Sequence, residues 1–135
     1  MTTLRASEEI RPPDEGTSMD EVRFSQIVDE VLADLPQFFK GRLDNLAVIV
    51  QDYPEPELQR QFPGRLLGLF RGIPKTRQSV FAGASLPQQV FLYQKNIEAV
   101  SYGEADLRRQ IEKTLKHEIG HYFGLSEEDL RALGY

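Results

Sequence analysis

The sequence predicts one domain of mixed helices and strands, on three observations. An amphipathic run extends from about residue 18 to 35, three short apolar runs follow, and a proline-free stretch with helical period covers about 103 to 123. With 135 residues, the chain suffices for one core but not for separate catalytic and regulatory domains.

Residues Met1 to Thr17 include Pro12, Pro13 and Gly16 and have little apolar surface to bury. They are expected to remain a flexible tail, leaving 18–135 as the folded domain. Ser18-Met19-Asp20-Glu21 fits a capping box, in which the Ser18 hydroxyl and the Glu21 carboxylate satisfy free backbone donors at a helix start. After it, Phe24, Ile27, Val28, Val31, Leu32 and Leu35 recur at intervals that place them on one buried stripe. Pro36 ends the run.

Leu46-Ala47-Val48-Ile49-Val50 is wholly apolar and β-branched in its second half, and turn-forming residues flank it on both sides. It reads as a buried strand. Leu66 to Arg71 and Gln89 to Tyr93 are two further strand candidates, separated by a long connection holding Gly72, Pro74, Gly83 and Pro87. The helical run from Gly103 to Phe123 meets Gly124, a C-cap candidate, and Ser126 is placed to cap a last short helix, Glu127 to Leu133.

Composition narrows the function. Forty per cent hydrophobic and 27 per cent charged residues is an ordinary globular balance, which points away from disorder and from a membrane-embedded chain. A net charge of -5 argues against a nucleic-acid partner, which would need a gathered basic face. Arg108, Arg109, Lys113 and Lys116 read instead as the solvated side of their helix. With no cysteine there is no disulfide, thiolate metal site or cysteine nucleophile, so any metal must be held by nitrogen and oxygen. The first residues do not resemble a signal peptide, and a cytoplasmic location is expected.

The chemistry concentrates at His117-Glu118-Ile119-Gly120-His121-Tyr122-Phe123-Gly124-Leu125-Ser126-Glu127, the pattern HExxHxxGxxE. Residues four apart on a helix are turned by only ~40° and displaced by ~6 Å, so two imidazoles can converge on one ion. Glu118 lies about 100° from His117, at the border of the ligand stripe and the apolar face, where a carboxylate can act as general base without ligating the metal. Thr114 and Gln110 fall on the same stripe, one and two turns earlier, as cleft-lining or solvated residues. Tyr122 falls on the core side, and Tyr102 and Tyr135 read as packing residues before they read as catalytic ones.

A catalytic metal site needs a third protein ligand and an open fourth position. Gly124 permits a sharp turn that folds the chain back, making Glu127 the first choice, with Glu128 and Asp129 as alternatives because helix starts are uncertain by a residue or two. A His, His, carboxylate set suits zinc and also iron or manganese.

These residues resemble those of the small bacterial zincin-like metallopeptidases, the minimal zincins. The likeness runs from about Met19 to Tyr135 and includes the opening helix, Leu43-Asp44-Asn45-Leu46-Ala47-Val48, Leu66-Leu67-Gly68-Leu69 and the tail from His117. It implies an α+β, zincin-like fold, with a small mixed sheet packed against an N-terminal helix and a C-terminal active-site helix. It further implies zinc (Zn2+) as the metal, with Glu127 at the acidic third-ligand position. Larger metzincins place a Met-containing turn beneath the metal, whereas Met1 and Met19 here both precede the motif.

The function expected is that of a zinc-dependent hydrolase, a metallopeptidase acting on a peptide or protein. His117, His121 and Glu127 are its metal ligands and Glu118 its catalytic base. An extended substrate would pair with the Gln89 to Tyr93 strand if that strand lies at a sheet edge. The competing reading is a metal-stabilised, non-catalytic protein-interaction module, which needs the metal but has no use for Glu118.

Overall fold

In the computed structural model, residues 2–5, 19–36, 46–72 and 88–134 are described. The amphipathic run forms α1, Glu21–Ala33. Its cap is Asp20 rather than Ser18: the Asp20 side chain accepts from the Arg23 N–H at 2.7 Å, satisfying a donor of the first turn. A carboxylate two residues further on closes the helix by itself, and Glu21 becomes an acid in the first turn, where the helix dipole favours it. Ser18 lies outside the described residues.

The apolar runs become β2, Leu46–Gln51, β3, Leu66–Arg71, and β4, Gln88–Tyr93. They are joined by a strand that composition did not foretell, β1, Thr2–Arg5, which pairs antiparallel with β3. The flexible-tail expectation is therefore corrected for these residues. Burial of side chains was the wrong criterion, because an edge strand is held by backbone hydrogen bonds and Thr2 and Thr3 are β-branched.

The sheet has the order β1-β3-β4-β2. β3 and β4 run antiparallel and β4 and β2 parallel, so the sheet is mixed, as expected. β4 is an interior strand with both sides paired, which overturns its proposed role as an edge for substrate; among the described residues the edges are β1 and β2. The register of β1 on β3 slips between Leu4 and Arg5, leaving Leu67 as an extra residue. That irregularity lets Leu67 and Phe70 enter the main core while Leu66 and Leu69 go to a smaller cluster with Phe91 and Tyr93.

Two short helices were not anticipated. α2, Pro56–Gln59, begins with a proline suited to the first helical turn, and α3, Gln94–Ala99, follows β4 directly. Elements this short show no period by which a sequence could reveal them. Within α3, Ile97 joins the core and Asn96 donates to the Leu66 carbonyl at 2.9 Å, tying the helix to β3.

The long C-terminal helix is α4, Gly103–Tyr122, which lies across β3 and beside α1. Leu107, Ile111, Leu115 and Ile119 are fully buried and share one core with Phe24, Ile27, Val28, Val31, Val90 and Leu92. Each such side chain contributes about 1.5–3 kcal/mol of burial, so packing fixes how α4 lies on the sheet. Arg23 with Glu104 and Arg108 with Glu30 bridge α1 and α4 on the outside. These half-exposed pairs add little, about 1 kcal/mol at most. The chain ends its described course in α5, Glu127–Ala132. No described helix is long and apolar enough to cross a membrane.

Candidate metal centre

The last two turns of α4 carry both histidines, and helical geometry brings their rings to 4.9 Å between centroids, edge to face. The helix then stops at Phe123, and Gly124 takes φ +82°. The Gly124 N–H donates to the His121 carbonyl at 2.9 Å and the Leu125 N–H to the Gly120 carbonyl at 3.0 Å, the two bonds of a Schellman motif. Only a residue at ease with positive φ makes this turn without strain, and it reverses the chain.

Ser126 restarts it. The Ser126 hydroxyl accepts from the Asp129 N–H at 3.1 Å, and the Asp129 carboxylate accepts from the Ser126 N–H at 3.0 Å. This capping box commits Asp129 to the helix start, and Glu128 is exposed outside the cluster. Glu127 is the acid that turns to the histidines: its Oε1 lies 3.0 Å from His117 Nε2 and 3.0 Å from His121 Nε2. One ligand atom from each of the three residues falls within 4.8 Å of the others.

Gly120, which the pattern treats as an arbitrary position between the histidines, has a part of its own. A Cβ there would clash with Leu130 Cδ2. Leu130 is fully buried, so the bare Gly120 surface is what lets α5 lie against α4 and deliver Glu127. A glycine inside a helix costs about 1 kcal/mol relative to alanine. That cost was the sequence signal of a packing reason.

Glu118 is fully buried. Its Oε1 accepts from the Phe70 N–H of β3 at 2.8 Å, whereas Oε2 is buried with no hydrogen-bond partner. Burial pushes this carboxyl well above the ordinary range. The Phe70 N–H opposes the shift and the negative charge of Glu127 adds to it. Burial is also the largest influence on His117 and lowers it, against the opposing pull of the Glu127 carboxylate. For Glu127, burial pulls upward but is outweighed by the charges and hydrogen bonds of the two imidazoles, and its carboxyl ends below the usual value.

β3 reaches Glu118 because of Gly68. A Cβ at that position would lie 2.5 Å from Thr114 Cγ2 and 3.5 Å from Glu118 Cγ. Thr114 thus packs under the sheet, with its hydroxyl donating to the Gln110 carbonyl at 2.7 Å, and does not line a cleft. Tyr122 is core, 5.8 Å from Phe70 between ring centroids, and Tyr102 is exposed. Tyr135 lies outside the described residues.

Comparison with known proteins agrees with this arrangement. Residues 43–135 match the model of the zincin-like metallopeptidases, a stretch running through β2, β3, β4 and both C-terminal helices. A conserved hypothetical protein from T. thermophilus has a similar solved structure, with a TM-score of 0.52 at 25% identity, covering 85% of this chain and 97% of that one. Among curated proteins, none matches. With the family model covering more than half of its length, including the whole of the His117, His121 and Glu127 cluster, this chain belongs to the zincin-like metallopeptidases.

Proposed function

We propose that the protein is a zinc-dependent peptide hydrolase. The observation that carries this reading is Glu118, a carboxyl held in the core with one oxygen tied to the backbone and the other free, on the residue after His117. Burying a carboxyl with an unpaired oxygen is costly, and a site that merely staples the fold has no need of it.

The donor set fits a divalent ion. Two imidazoles and a carboxylate converge from a rigid helix and a capped turn, and three protein ligands are the number that leaves a catalytic position open. When bound there, the ion supplies Lewis acidity, polarising a carbonyl and acidifying a water. His117, His121 and Glu127 would hold it. The positive charge they gather favours the ionised form of Glu118, which can take a proton at Oε2 while Oε1 stays on the Phe70 N–H. Glu118 then returns that proton to the leaving amine. The Phe70 bond restricts the carboxylate to one orientation through both transfers.

The test is a peptide library incubated with the zinc-loaded protein beside Glu118→Gln loaded the same way, with products read by mass spectrometry. Fragments are expected from the wild type alone. The same fragments from both proteins, or none from either with zinc bound, would overturn hydrolysis at this site and favour the metal-stabilised interaction module.

A further inference from the structure

The edge of β3 beside Glu118 is filled by the chain itself. Thr2 lies opposite Phe70, Thr3 opposite Leu69 and Leu4 opposite Gly68. On β3, Phe70 bonds Glu118 through its N–H, and a Cβ at Gly68 would come into contact with the Glu118 side chain. β1 also packs against α4, the helix that bears His117 and Glu118. Thr2–Arg5 therefore runs in the angle between the site's strand and the site's helix, with its Thr2 end level with the Glu118 contact.

Two features mark β1 as an occupant more than a foundation. It has four residues at the sheet margin and adds to the sheet by backbone pairing, the kind of element that opens first. Residues 6–20 separate it from α1, enough chain to let the strand leave without moving the helix.

We propose that Thr2–Arg5 is a resident occupant in cis of the β3 edge, shutting the approach to Glu118 until an extended peptide laid antiparallel displaces it. Main-chain pairing of this kind tolerates many sequences, so a substrate segment and Thr2–Arg5 compete for the same backbone groups. The proposal rests on the hydrolase reading for the identity of the competitor as substrate. The docking itself requires no turnover.

The test uses the full, zinc-loaded chain and its Thr3→Pro/Leu4→Pro variant. Of two successive strand residues one N–H faces the neighbouring strand, so the paired prolines remove a ladder donor whichever it is. NMR amide signals of Gly68, Leu69 and Phe70 are expected to move in the variant while those of α4 stay in place. The unlabelled tetrapeptide Thr-Thr-Leu-Arg is then titrated into both proteins. If β1 holds the edge nine-tenths of the time, the variant binds the peptide about tenfold more tightly, with the shifts at Gly68 to Phe70 returning toward those of the wild type.

Equal affinity in the two proteins, or binding by neither, would overturn the proposal. So would loss of the α4 signals in the variant, which would make β1 a structural strand. A variant that gains peptide affinity yet cleaves no peptide would leave the docking standing and count against the hydrolase reading instead.

Discussion

Glu118→Gln is expected to lower peptide turnover by about 10²–10⁴-fold, the usual worth of a positioned general base, with zinc uptake unchanged. Glutamine keeps the shape, and its carbonyl oxygen can still accept from the Phe70 N–H, so β3 and α4 stay in register. What it cannot do is take a proton at the other end. Steady-state kinetics on a cleaved library peptide, with bound zinc measured on the same samples, separates lost chemistry from lost metal.

The same substitution has a second consequence, for the metal-free protein. The Glu118 carboxyl is raised well above 4.5 in the folded chain, so the folded state binds more protons than the unfolded one between that value and the raised one. Stability must therefore fall as pH rises through this window, and Glu118→Gln is exempt from the loss. Thermal melts of the two metal-free proteins are expected to diverge as pH rises, with the wild type the less stable at the alkaline side. Parallel melting curves at every pH would mean that Glu118 is not the buried acid described above.

The second large effect belongs to Gly120→Ala. Its Cβ would press on Leu130, and crowding of a packed core typically costs about 1–3 kcal/mol, offset by about 1 kcal/mol from the better helix former. The balance falls on the seating of α5, so Glu127 is displaced while both histidines remain on an intact helix. Zinc affinity, measured by competition with a chelating dye, is expected to drop by about 10–100-fold, the range for losing a ligand's supporting contacts. Circular dichroism is expected to show helix content preserved. Unchanged zinc affinity would show that the Gly120 and Leu130 contact does not position Glu127.

The features legible in the sequence were those written in local periodicity. His117 and His121 face one way because they are four apart, and Leu107, Ile111, Leu115 and Ile119 mark the buried side of the same helix. Gly124 and Ser126 announced the turn and the restart that bring Glu127 to the two histidines, because positive φ and helix capping are properties of single residues. Asp129, a fallback third ligand on the sequence, is engaged with Ser126 in the capping box and lies outside the His117, His121 and Glu127 cluster.

What could not be read is what depends on partners distant in the chain. Thr2–Arg5 has no pattern of its own and becomes a strand only because β3 has an edge to offer. Gly68 looks like a weakness in a strand until Thr114 and Glu118 are seen beneath it. The interior place of β4 follows from pairing order, which alternation of side chains does not encode. Asp20 displaced Ser18 as a cap by a shift of two residues, within the usual uncertainty of helix ends.

The central claim is that His117, His121 and Glu127 together hold one catalytic ion. It is tested most directly by the metal content of protein purified with neither added metal nor chelator, beside His121→Ala and Glu127→Ala. The account predicts about one zinc per chain in the wild type, none in His121→Ala and a reduced, easily stripped amount in Glu127→Ala. A wild type that takes up no metal even when zinc is supplied, or a His121→Ala variant that keeps it, would contradict the account.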